Sequence, residues 1–109
     1  MTRRAVLACS LTAISATDRP RYRQLVNLLR GAIRGRSEIP AGYSFTLDRK
    51  AITLPEIREW IGLERLCCPF LTFRISSSSG NHGGYLLTLS GPAGVKAILD
   101  NEFPAPQAD

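Results

Sequence analysis

Glu64-Arg65-Leu66-Cys67-Cys68-Pro69-Phe70-Leu71-Thr72-Phe73 is the stretch in which a helical pattern stops and a strand pattern starts. Pro69 disfavours helical geometry at the residue before it, so a helix entering this stretch ends at about Cys67, with Cys68 in the exit turn. Counted back at about 100° per residue, Ile57, Ile61, Glu64 and Cys68 fall within roughly 60° of one another, flanked by Trp60 and Cys67. Glu64 therefore lies in the middle of an apolar stripe. A carboxylate there is costly unless it is paired, protonated or bound to a cation, which makes this position more informative than any surface charge.

Upstream of the stretch, Thr53-Leu54-Pro55-Glu56 has the form of a capping box and marks the start of the helix that carries Glu64. Tyr43-Ser44-Phe45-Thr46-Leu47-Asp48 alternates apolar and polar, which predicts a strand with Tyr43, Phe45 and Leu47 facing the core. Thr17-Asp18-Arg19-Pro20 predicts another helix start, with an Asp or Thr cap and a proline in the first turn. The buried stripe of that helix is Tyr22, Leu25, Val26, Leu29, Ala32 and Ile33, with Arg23, Asn27, Arg30 and Arg34 down its outer face. Gly31, Gly35 and Ser37-Glu38-Ile39-Pro40 bring it to an end. Ala5 to Ile14 reads as a first strand, with Leu7, Cys9 and Leu11 on one face.

Downstream, Pro69 to Ile75 predicts a strand and Tyr85 to Leu89 its hairpin partner, joined by the Ser/Gly-rich turn Ser76 to Gly84. His82 in that turn reads as a solvated residue. Ser90-Gly91-Pro92-Ala93-Gly94 leads into a last helix with Val95, Ile98 and Leu99, and no Lys-Ser/Thr follows the glycines as a phosphate loop requires. The expected order is β-α-β-α-β-β-α. It predicts an α+β fold, a two-layer α/β sandwich whose four-stranded mixed sheet carries helices on one face. Residues 1–103 form a single domain, and 104–109 a C-terminal tail.

Composition agrees with one modest core: 109 residues, 44% hydrophobic and 21% charged. No apolar run approaches the ~20 residues of a membrane span, and the N-terminal residues are too short and too alternating for a signal peptide, so the expected location is cytoplasmic. Three cysteines, two of them adjacent, suit free thiols better than a disulfide framework. Residues 1–50 carry ten Lys/Arg against three Asp/Glu, while 51–109 carry four against six. The basic half lacks the interleaved aromatics that stack bases, so a solvated face is favoured over anion or nucleic-acid binding by Arg23, Arg30 and Arg34.

The element order resembles the small Cys-Pro sulfur carriers and the C-terminal domain of translation initiation factor three. In the carriers the Cys-Pro pair opens the first helix, whereas Cys68-Pro69 closes the second, where the helix dipole opposes a thiolate. Over most of its length the chain also resembles an uncharacterised bacterial family. The residues that carry this are Cys9-Ser10-Leu11, Gly42-Tyr43-Ser44-Phe45, the E-R-x-C-C-P-F run Glu64 to Phe70, and Leu87 to Lys96. Its members are similar to proteins sometimes found beside heavy-metal resistance genes, which implies a thiol or metal role with no assigned activity.

Adjacent thiolates at Cys67 and Cys68, a third at Cys9 and the Glu64 carboxylate together suit a thiophilic ion such as Hg, Zn, Cu(I) or As(III). Two other readings use the same residues. Cys67 or Cys68 attacks in thiol redox or sulfur-transfer chemistry, with Cys9 as the better resolving partner because adjacent cysteines close a strained ring. Or the thiols are structural, Glu64 pairs with an arginine such as Arg65, Arg74 or one on the first helix, and the basic helix makes the chain a non-enzymatic binding module. No catalytic residue is assigned. A homodimer would use an uncovered sheet face or an edge strand.

Overall fold

A computed structural model describes residues 8–77 and 83–105. A single 3-10 turn, Leu11–Ala13, precedes α1 (Arg19–Ala32), β1 (Ile33–Ile39), β2 (Gly42–Asp48), α2 (Leu54–Cys67), β3 (Thr72–Ser77), β4 (Gly84–Ser90) and α3 (Val95–Glu102). The fold is α+β, with three helices and one four-stranded sheet in the order β1-β2-β4-β3 among the described residues. Every neighbouring pair runs antiparallel.

Much of the local chemistry acts as expected. Thr53 Oγ1 accepts from the Glu56 amide at 3.3 Å, and Glu56 Oε1 accepts from the Thr53 amide at 2.9 Å, closing the box that starts α2. The α1 stripe buries Tyr22, Leu25, Val26, Leu29 and Ala32. Asp18 stands at the N-cap of α1, but its side chain makes no capping bond. Pro69 to Leu71 form a turn, with the Leu71 amide on the Cys68 carbonyl at 3.1 Å, so β3 begins later than expected.

Two segments depart from the expectation, and together they change the sheet. The strand expected over Ala5 to Ile14 is not formed among the described residues: 8–10 carry no regular structure and Leu11–Ala13 make the 3-10 turn. Residues 1–7 lie outside the described ones, as does His82. Ser10 and Thr12 hydroxyls bond to each other at 3.0 Å, a local partnership that competes with a strand ladder. The fourth strand is instead β1, in the segment expected to end the first helix, so Arg34 is on a strand and not on α1. Its sequence hides it. Arg36 and Glu38 pair with Phe45 and Tyr43 on the core-facing side, where Arg36 lies 4.1 Å over the Tyr43 ring. Their charged ends reach Asp100 and Lys96 of α3, each at 2.7 Å, so aliphatic stems take the place of apolar residues. A register shift between Ile33 and Gly35 further breaks the alternation. Among the described residues the sheet is accordingly antiparallel throughout, and the order starts α-β-β rather than β-α-β.

One face of the sheet meets the helices. Phe45, Leu47, Leu87 and Leu89 pack there with Trp60 and Phe103, all fully buried or nearly so. Trp60 stands edge-on to Phe73 and to Phe103, each at 5.7 Å. Across the opposite face runs a row in register, Ser37, Ser44, Thr88 and Arg74, in which Ser44 and Thr88 hydroxyls bond at 3.0 Å. Gly42 and Gly84 close the two ends of the β2–β4 ladder, opposite Ser90 and Asp48. A Cβ at Gly42 would collide with the Leu89 carbonyl, and one at Gly84 with the Leu47 carbonyl. No helix among the described residues is long and apolar enough to cross a membrane.

Candidate functional site

The site is built from the last turn of α2 and the segment that crosses it. Glu64 and Cys68 are four residues apart, so their side chains lie on one face, and the Cys68 amide bonds to the Glu64 carbonyl at 2.6 Å. The Ser10 amide bonds to the Cys67 carbonyl at 2.8 Å, which draws residues 8–14 over the helix end. Ile14, fully buried, anchors that segment, and Arg19 Nε donates to the Ile14 carbonyl at 3.0 Å.

Cys9 thereby meets Cys68, and the two form a disulfide with Cα atoms 4.7 Å apart. This corrects the expectation of three free thiols. Cys67 keeps its thiol, is 3% exposed, and places its Sγ 3.8 Å from Cys68 Sγ. The disulfide sulfur has no proton, so the donor in that contact is Cys67. All three sulfurs lie within 4.8 Å of one another.

A carboxyl pair backs the sulfurs. Tyr22 donates its hydroxyl proton to Glu64 Oε1 at 2.7 Å, and the same oxygen of Tyr22 stands 3.5 Å from Glu102 Oε1. One hydroxyl has one proton, so the short contact is the bond. Glu64 Oε1 is 3.7 Å from Cys68 Sγ, Glu102 Oε2 is 3.9 Å from Cys9 Sγ, and Glu64 Oε2 has no hydrogen-bond partner among the described residues. Burial, with Glu102 alongside, pushes the Glu64 carboxyl up to about 9, while the Tyr22 bond pulls it back only in part. Glu64 is thus protonated at neutral pH. Burial also raises the Tyr22 hydroxyl and the Cys67 thiol. The effect of Glu64 on Cys67 requires a charged Glu64, so with Glu64 protonated it is burial that moves the thiol further up from its ordinary value.

The expected residues are thus distributed over two overlapping groups. Cys9, Cys67 and Cys68 form one, while Glu64 joins Cys68 and Glu102 in the other, again with ligand atoms within 4.8 Å. The partner of Glu64 is Tyr22, not an arginine, and Arg65 instead lies 5.7 Å over the Phe73 ring. Arg23 and Arg30 are on α1, where Arg30 Nε donates to the Glu102 carbonyl at 2.9 Å, and Arg34 pairs with Asp48 at 3.1 Å. Sequence reasoning missed Tyr22 and Glu102 as members of the site. Tyr22 was legible as a stripe residue, and Glu102, three residues beyond Leu99, as an acid on the inward side of the last helix.

The chain matches no protein-family model, no curated protein and no solved structure.

Proposed function

We propose that the reduced chain binds a thiophilic metal or metalloid ion through Cys9, Cys67 and Cys68. The observation that carries this reading is the mutual approach of three sulfurs within 4.8 Å. Thiolates about 2.3 Å from a shared ion lie about 4 Å from one another in a trigonal site, so little rearrangement is needed once the Cys9–Cys68 bond is reduced. Hg(II), As(III), Cu(I) and Zn(II) have the required softness. Glu64, whose Oε1 stands 3.7 Å from Cys68 Sγ, joins as an oxygen donor when an ion displaces its proton. The role is one of binding.

Thiol redox chemistry is the second reading, favoured by the Cys9–Cys68 bond itself. Native mass spectrometry of the reduced protein, before and after one equivalent each of Zn(II), Hg(II) and As(III), separates the two. A one-to-one adduct that is lost in the Cys67→Ser/Cys68→Ser double variant is the expected result. Absence of any adduct, or an adduct that survives the double substitution, removes ion binding at these thiols and leaves the redox reading.

A further inference from the structure

An open hollow of about 490 Å³ lies beside the disulfide, lined by Ala8, Cys9, Ala97, Ile98, Asn101 and Glu102. Its volume is that of a small-molecule site. It is lined by Cys9 but by neither Cys67 nor Cys68. Cys9 is half-buried, whereas Cys68 is fully buried behind Glu64 and Cys67. The two sulfurs of one bond therefore differ sharply in what can reach them. Thiol–disulfide exchange is controlled by which sulfur the attacking thiolate can approach, so the asymmetry has a chemical consequence.

We infer that this hollow admits a small external monothiol to Cys9 Sγ, and that exchange there opens the Cys9–Cys68 bond and assembles the three-thiol site. The thiolate of the incoming R–SH forms a bond to Cys9 Sγ, and the Cys9–Cys68 bond breaks. Its electron pair leaves on Cys68 Sγ, which takes up the equivalent of the proton released by the incoming thiol. A second R–SH attacks the external sulfur of the mixed disulfide, gives R–S–S–R and returns Cys9 as a thiol. In sum, two external thiols are oxidised to one disulfide and one protein disulfide is reduced to two thiols.

An external thiol is required because the neighbouring one does not serve. Consecutive Cα atoms are about 3.8 Å apart, shorter than the usual disulfide span, so attack by Cys67 on Cys68 would close a strained ring, and attack on Cys9 would only exchange one protein disulfide for another without reducing it. Release of Cys68 beside Cys67 also explains why a thiol is kept in so dry a place: the leaving sulfur arrives already next to a second donor, 3.8 Å away. The inference deepens the ion-binding reading, on which the purpose of the reduced site rests, but its chemistry needs no ion.

The test uses the oxidised 109-residue chain, glutathione as the probe and no metal. Aliquots are quenched with acid, alkylated and mapped by peptide mass spectrometry. The expected product carries glutathione on Cys9 and the alkyl group on Cys68. Ala97→Phe places a ring in the hollow from an exposed helix position, and is expected to slow reduction by about tenfold or more with an unchanged melting temperature. Glutathione found on Cys68, or an unchanged rate in Ala97→Phe, overturns the proposal. If the adduct maps to Cys9 and the reduced protein still takes up no ion, the ion-binding reading falls and the port stands.

Discussion

Trp60 and Glu64 lie one turn apart on α2 and both are 0% exposed, yet their surroundings have little in common. Around Trp60 the neighbours are rings and aliphatic chains: Phe73 and Phe103 meet it edge-on, and Phe103 in turn meets Phe45 at 5.8 Å. Around Glu64 they are a hydroxyl, a second carboxyl and the sulfur of Cys68. The first region is stabilised by apolar area removed from water and by ring geometry. The second depends on a retained proton, one short hydrogen bond and a covalent bond to a distant segment. Equal burial thus conceals two different kinds of support, and only the second responds to pH and to reductant.

Trp60→Ala should show the largest effect. Loss of a fully buried ring that joins two others costs about 3–5 kcal/mol, read as a lower urea midpoint. Trp60→Phe should cost much less, because the indole Nε1 is buried without a hydrogen-bond partner among the described residues and its deletion removes an unsatisfied donor. A Trp60→Ala protein with an unchanged midpoint would end the argument that this region is held by packing.

Glu64→Gln should show the next effect, and with a sign that depends on pH. The folded chain keeps the Glu64 proton up to about 9, whereas an unfolded chain releases it near 4.5. Between those values the unfolded state binds fewer protons, so stability falls as pH rises through the window. From pH 5 to pH 8 the wild type should lose about 2–4 kcal/mol in urea titrations, and Glu64→Gln, which still accepts from Tyr22, should stay nearly flat. A wild-type curve without that slope means that Glu64 is ionised in the fold.

Cys67→Ala is the smallest change, about 1 kcal/mol in the same titrations, because a small thiol is removed while the Cys9–Cys68 bond and the Tyr22–Glu64 bond remain. A loss as large as that for Trp60→Ala would show that the corner is packed as tightly as the ring cluster.

These two regions also differ in how far the sequence announces them. Trp60, Phe45 and Glu64 follow from period and spacing: each falls on a face that the helix or strand repeat sends inward. The capping box at Thr53 and the β3–β4 hairpin follow from local turn chemistry in the same way. By contrast, the Cys9–Cys68 bond joins residues 59 apart and leaves no local mark. Tyr22 and Glu102 come from α1 and α3, so their meeting at Glu64 is a property of how the helices pack, which periodicity does not encode. β1 was hidden for another reason, since Arg36 and Glu38 occupy inward positions with stems that pattern reading counts as polar. The N-terminal segment alternated well enough for a strand, but its hydroxyls and the pull of Cys67 and Cys68 give it a different path.

The two glycines at the ends of the β2–β4 ladder act like the end marks of a vernier. A strand of alternating side chains tolerates a slip of two residues, because every inward residue still points inward. Here such a slip in one direction would carry Ser44 into the place of Gly42 and Leu86 toward that of Gly84, and in the other direction Pro40 into the place of Gly42, where only a hydrogen atom fits beside a carbonyl. Misaligned pairing of the central pair is therefore blocked in both directions, and the edge strands β1 and β3 inherit a template with one permitted alignment.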